Sequence, residues 1–202
     1  TRDPSSAASD VYKRQGCGHM AKALISGLKS NKSYELFGHD RNTKNLAWLE
    51  QEKIPFCSLK EICQESDILM ICVKPKDMYD LCSEMRTYIG NELKIVSVAA
   101  GITLENLKDA LPGGKVYRAM PNIGAKHNLG ITSIFSYEEL NEIIDIFNYL
   151  GKAIVVEDED KINLHTSLIG SAPAFYFEII NEFEHRPVSY THLTLPTMDH
   201  GL

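Results

Sequence analysis

The sequence predicts an α/β fold with a doubly wound, mostly parallel sheet, and three observations carry that reading. Strand-like and helix-like segments alternate along the body of the chain. The stretch "GCGHMA" (16–21) has the spacing of a glycine turn between a strand and a helix. "DILMICV" (67–73) is a nearly continuous apolar run bounded by charge, as a strand buried on both faces requires.

The elements follow in order. Met20 to Leu28 places Met20, Ala23, Leu24 and Leu28 at helical spacing. "YELFGHD" (34–40) reads as a strand ending in polar residues, and "NTKNLAWLEQE" (42–52) as an amphipathic helix with Leu46 and Leu49 inward. Ser58 and Glu61 form a capping-box pattern that opens a short helix. After the 67–73 strand, Lys74-Pro75 ends it, and Pro75 suits the first turn of the next helix. "LKIVSVAAG" (93–101) is a second central strand closed by small residues. Thr103 to Leu111 reads as a helix, broken by Pro112-Gly113-Gly114. "KVYRAMPN" (115–122) is a strand running into a Pro-Asn loop, and "GITSIFS" (130–136) follows it. A second capping box, Ser136 to Glu139, opens a helix ending near Gly151, and "AIVVE" (153–157) is the last strand. From Asp158 to Glu184 the pattern is one long helix with small and apolar residues in its middle. Pro173 should kink it or mark its true start.

The two ends differ in character. Tyr12, Lys13, Arg14 and Gln15 precede the glycine turn where a buried strand should stand, and no buried strand welcomes them. "HRPVSYTHLTLPTMDHGL" (185–202) does not continue the preceding helix. Both strings resemble translated adapter sequence, so residues 1–15 are expected to be a non-native leader and 185–202 a non-native tail. Native disordered tails are the alternative. Residues 16–157 then form the dinucleotide-binding unit, and 158–184 begin a helical one.

Bulk properties narrow the class. Of 202 residues, 44% are hydrophobic and 24% charged, enough to fill a core. A formal charge of −6 gives nucleic acid or an anionic membrane no electrostatic foothold. No apolar run reaches the roughly 18 residues of a membrane span, and no secretion signal is visible. The five cysteines are odd in number and contain no Cys-x-x-Cys pair, which favours reduced thiols in a cytoplasmic protein over zinc or disulfides.

The candidate site is read from the strand ends. Gly16 allows the tight turn, Gly18 lets backbone approach a pyrophosphate, and Ala21 keeps helix and strand close. The helix that follows aims unpaired N–H groups and its dipole at the phosphates. A plain strand–helix turn is the alternative. Asp40, about 22 residues after Gly18, stands where a ribose-reading acid belongs, with Arg41 and Asn42 behind it. Asp40 argues for NAD, whereas Arg41, able to pair with a 2′-phosphate, argues for NADP, and the sequence leaves both open. Three further strand ends carry sparse polar groups: Val73-Lys74-Pro75, Ala99-Ala100-Gly101 and Met120-Pro121-Asn122. Lys74 needs a counter-charge or an anionic ligand if its strand end is buried, or is a surface lysine at a loop mouth if it is not. His19, His39, His127 and His165 make no metal or triad pattern and read as polar surface or loop residues.

Taken together, "GCGHMAKAL", "ICVKPKDM", "VSVAAGITLENL", "YRAMPNIGA", "GITSIF" and "SLIGSAPAFYFEIINE" resemble the pyrroline-5-carboxylate reductases from about Gly16 to Glu184. The resemblance implies an N-terminal Rossmann domain and an all-helical C-terminal domain that forms a homodimer or higher homo-oligomer and completes the substrate site. It implies NADP or NAD as cofactor, with Gly16, Cys17, Gly18, His19, Met20 and Ala21 around the pyrophosphate and Asp40, Arg41 and Asn42 at the adenosine ribose. Cys72 to Pro75 and Ala99 to Gly101 would line the ribose and nicotinamide side, with Met120 to Asn122 nearby and Lys74 close to a small imine substrate as the candidate catalytic group. The implied reaction is reduction of 1-pyrroline-5-carboxylate to L-proline, the last step of proline biosynthesis. Two departures stand out. The family's Met-Pro-Asn-Thr-Pro reads Met-Pro-Asn-Ile123-Gly124 here, and its Ser-Pro-Gly-Gly-Thr-Thr segment is absent, so the chain is expected to be an incomplete, inactive fragment. The competing readings are another Rossmann reductase of a small keto or hydroxy acid, and a nucleotide-binding fragment without activity.

Overall fold

The computed structural model describes residues 10–15 and 18–185. Its sheet has seven strands in the order β2-β1-β3-β4-β5-β6-β7. These are β1 (Asp10–Gln15), β2 (Tyr34–His39), β3 (Ile68–Ile71), β4 (Lys94–Ser97), β5 (Lys115–Met120), β6 (Gly130–Phe135) and β7 (Gly151–Val155). The first five run parallel; β6 turns back antiparallel to β5, and β7 is parallel to β6. The chain leaves β1 for β2 on one side and crosses to β3 on the other, which creates a crevice at the carboxyl ends of these strands.

The helices are α1 (His19–Leu28), α2 (Thr43–Gln51), α3 (Leu59–Glu65), α4 (Met78–Met85), α5 (Leu104–Ala110), α6 (Asn141–Tyr149), α7 (Asp160–His165) and α8 (Ala172–His185). Alternating side chains of the strands divide the core into two. Leu69, Ile71, Ile95, Val116 and Met120 face one layer, with buried residues of α3, α4, α5 and α7. Ile68, Met70, Val96, Tyr117 and Ala119 face the other, with α1, α2 and α6. All four residues of β3 are fully buried, because both faces are covered. Helix α4 buries Met78, Leu81, Cys82 and Met85, the i, i+3, i+4, i+7 stripe of a core-facing helix. Where α1 crosses the 3-10 turn Ile123–His127, Gly27 is required, since a Cβ there would stand 2.2 Å from the Ala125 carbonyl oxygen.

Four sequence expectations change. Asp10–Gln15 forms the strand that their composition did not suggest, paired with β2 and β3 in register (Arg14 opposite Gly38 and Met70). Parallel pairing is made by the backbone, and the slot between β2 and β3 supplies donors and acceptors on both sides. Ser136 caps no helix: it donates to the Val116 carbonyl at 2.7 Å and accepts from the Glu138 amide, and α6 starts only at Asn141. The long 158–184 helix is interrupted by a π-turn over Thr166–Ser171, so α8 has its own start at Ala172, next to Pro173. The last strand begins two residues earlier than its apolar run, at Gly151, whose φ of 141° any side chain would strain. The Ser58–Glu61 capping box forms as expected.

Candidate functional site

The crevice holds a cleft of about 460 Å³ at the carboxyl ends of β1, β2 and β3. It is assembled from three loops of the sequence. Gly18 enters from the turn before α1, His39 to Asn42 from the end of β2, and Cys72 to Lys74 from the end of β3. Asn45 of α2 and Lys76, Asp77, Asp80 and Leu81 of the β3–α4 segment complete the lining.

At the first loop, α1 has Gly18 as its N-cap, with no side chain capping it and no acidic residue in its first turn. A Cβ on Gly18 would meet nothing within 4 Å, so the space above the turn is open. An open N-terminus without a carboxylate fits an anionic group. His19 lies exposed there, Met20 is half-buried against the core, and Ala21 is fully buried beneath the helix. Gly16 and Cys17 lie outside the described residues.

At the second loop, the carboxylate of Asp40 accepts from the Asn42 amide at 2.7 Å and from Asn45 Nδ2 at 3.0 Å. The Asn42 side chain in turn caps α2 by accepting from the Lys44 amide at 3.0 Å. Asp40 therefore holds the shape of the turn and stands on the cleft wall at once. The ring of His39 is tied through Nδ1 to the Cys57 carbonyl at 2.8 Å. Arg41 leaves the turn and crosses to α4, where its guanidinium donates to Glu84. That hydrogen bond and its charge, with smaller contributions from Asp80 and Asp77, push the Arg41 pKa up.

At the third loop, Lys74 is exposed at the mouth of the cleft and precedes the 3-10 turn Pro75–Asp77. It is not the buried strand-end lysine that would demand a counter-ion. Ala99 to Gly101 and Met120 to Asn122 lie farther along the same edge, after β4 and β5, and do not line this cleft. Ala99 is buried, and Gly101 takes a φ of 74°. Met120 and Pro121 are buried, and Asn122 Oδ1 accepts from the Ile131 amide at 3.2 Å, tying the loop to β6. The acids of α4 and of the turn before it were not singled out from sequence. Asp77, Asp80 and Glu84 recur at helical spacing after Pro75, and that was the available signal. His165, read as a surface or loop residue, is half-buried and bonds Ser133 through Nδ1 at 2.6 Å.

Comparison with known proteins agrees with this architecture. Residues 16–101 match the family described as NADP oxidoreductase, coenzyme F420-dependent. The pyrroline-5-carboxylate reductase of Escherichia coli (strain K12) is 33% identical over 176 residues, 82% of this chain and 65% of that protein. That of Methanosarcina acetivorans is 37% identical over 182 residues, with the same coverage of 82% and 65%. The chain thus spans 65% of the length of each of these two relatives. The crystal structure of Plasmodium falciparum pyrroline carboxylate reductase with NADP bound superposes with a TM-score of 0.76 at 21% identity, covering 85% of this chain and 66% of that one. In sequence, this chain is similar to the pyrroline-5-carboxylate reductases, and it shares the fold of their solved structures.

Proposed function

We propose that the chain is the cofactor-binding part of an NAD(P)H-dependent reductase that converts 1-pyrroline-5-carboxylate to L-proline. One observation carries the reading: the loops after β1, β2 and β3, which the sequence marks separately, converge on one cleft at the strand crossover. The bound nicotinamide supplies the hydride that would go to the imine carbon. The chain's own residues bind and align. The open start of α1 behind Gly18 holds the pyrophosphate. The β2 loop from Asp40 to Asn42 receives the adenosine ribose, and Asn45 and Leu81 close the cleft around it. Cys72 and Val73 turn the cofactor along the sheet edge toward Ala99 to Gly101 and Met120 to Asn122, where backbone and small side chains leave room for the nicotinamide end. Lys74, charged and exposed at the mouth, attracts the carboxylate of the substrate and is the candidate for positioning it.

The helical part, residues 158–184, begins the unit through which a second copy would pack, and the exposed apolar side chains of α8 support that reading. Cys57, Cys63, Cys72 and Cys82 are reduced, which fits a cytoplasmic setting. Cofactor binding and turnover are therefore expected to separate: the 202-residue chain binds dinucleotide but reduces the imine weakly or not at all.

The test is protection of Cys72. In the native chain, iodoacetamide labelling of Cys72, read by mass spectrometry, slows severalfold with saturating NADH or NADPH, while labelling of Cys57 stays unchanged. Equal labelling with and without both dinucleotides would contradict the cleft assignment. Turnover of the cyclic imine, but not of a keto acid, by this chain extended with a relative's C-terminal region checks the substrate.

A further inference from the structure

The cleft carries a charge arrangement that the cofactor reading alone does not explain. Arg41 is the one basic side chain at the β2 turn, where an arginine would meet a 2′-phosphate. It does not stand free. Its guanidinium is engaged by Glu84, from the last turn of α4 on the far side of the cleft, with both side chains half or more exposed to solvent. Asp80, one turn earlier on α4, and Asp77 before it also face Arg41. Asp40 sits on the opposite wall with its carboxylate already bonded to Asn42 and Asn45. The basic groups Lys74 and Lys76 lie at the β3 side.

We infer that Glu84 is a determinant of cofactor choice: by holding Arg41 across the cleft, it restrains binding of the 2′-phosphate of NADPH and leaves the 2′-hydroxyl ribose of NADH little affected. The inference rests on the dinucleotide reading of the cleft. A 2′-phosphate entering beside Asp40 must compete with Glu84 for the charge of Arg41 and lie near the carboxylates of Asp77, Asp80 and Glu84. A 2′-hydroxyl has no charge to satisfy and can bond Asp40 with the ion pair in place. Arg41 carries a single positive charge, which Glu84 already partly neutralises through the bond from Nη2, so a phosphate at Arg41 must share that charge with a carboxylate. The competition between Asp40 and Arg41 that the sequence left open is thereby settled by a third residue, 43 positions beyond Arg41.

The experiment is a double-mutant cycle on the full chain, with dissociation constants for NADH and NADPH measured by calorimetry or nucleotide fluorescence. Glu84 and Arg41 are both exposed, so Glu84→Gln and Arg41→Gln leave the core untouched. Glu84→Gln is expected to tighten NADPH binding about fivefold to tenfold, the scale of one partly exposed charge pair lost plus one like charge removed, with NADH changed by less than about twofold. In an Arg41→Gln background the same substitution should leave a much smaller gain, because the restraint acts through Arg41. An unchanged NADPH constant in Glu84→Gln, an equal change for both nucleotides, or a full effect without Arg41 would each overturn the inference. A wild-type chain that binds neither dinucleotide would instead overturn the cofactor reading itself, and the two failures are told apart by the wild-type titration alone.

Discussion

Tyr117 sits in the middle of β5, 1% exposed, and its phenol donates to the Glu139 carbonyl at 3.1 Å. Burial, with the charges of Glu138, Glu142 and Glu139, pushes its pKa up to about 12. Burial also raises the thiols of Cys63 to about 12 and Cys82 to about 11. In each case the folded chain keeps a proton that the unfolded chain releases at lower pH. The stabilisation is therefore intact below the unfolded values and is lost as pH climbs toward the folded ones. Urea unfolding should show a stability plateau near neutral pH and a steady fall from about pH 9 upward. Tyr117→Phe should cost about 1 kcal/mol at neutral pH through the lost hydrogen bond and make the fall above about pH 10 shallower. A slope unchanged in that variant would remove Tyr117 from the account. The same scale explains what could not be read in the cleft: Asp40 and Arg41 were recognisable by position, but the ion pair with Glu84 joins residues distant in sequence, and only the folded crevice brings them together.

Between elements, one carboxylate does the joining at the start of the helical part. Glu159 precedes α7, and its Oε1 accepts from Arg118 Nη1 at 2.6 Å and from the Leu104 amide at 2.6 Å. It thereby ties the lead into α7 to the centre of β5 and to the first residue of α5. The Arg118 side chain is only 3% exposed, and its Nη2 has no hydrogen-bond partner among the described residues. A charge so buried depends on Glu159, its counter-ion among the described residues. Glu159→Ala should destabilise the fold by about 3 kcal/mol, because it strands the guanidinium. The pair Arg118→Met with Glu159→Leu should recover most of that loss, since apolar replacements need no partner. Thermal melts of the wild type, the single and the double variant decide it, and a double variant no better than Glu159→Ala would show that the tie to α5, not the stranded charge, sets the cost. Local rules explain why these elements start where they do. Ser58 was legible as a cap because Glu61 completes its box. Ser136 was misread because the Val116 carbonyl, twenty residues back, takes its hydroxyl instead.

For the molecule as a whole, the doubly wound sheet was legible because burial on both faces leaves a clear trace in the central strands: β3 and β4 read as apolar runs between turn residues, and both lie where those runs predict. The edge-to-edge slot of β1 left no such trace, since pairing there rests on backbone bonds that any sequence can make. Helix α8 is a different case. Phe175, Tyr176 and Phe177 are 64–70% exposed, and Ile179, Ile180 and Phe183 lie at or above 51%. Successive positions step by about 100° around a helix, so these six residues spread over an arc of about 200°, and Glu178, Asn181 and Glu182 occupy the remaining face. An apolar face this broad is stable only when it is covered, and each of these side chains is more than half exposed. The chain should therefore self-associate through α8: sedimentation velocity should show species heavier than a monomer that grow with concentration, together with binding of an apolar dye. Phe175→Glu with Phe183→Glu should reduce both signals while leaving the dinucleotide dissociation constants unchanged, because the cleft lies at the carboxyl ends of β1 to β3 and draws no residue from α8. A wild-type chain that stays monomeric and binds no dye at every concentration would show that α8 is covered in solution.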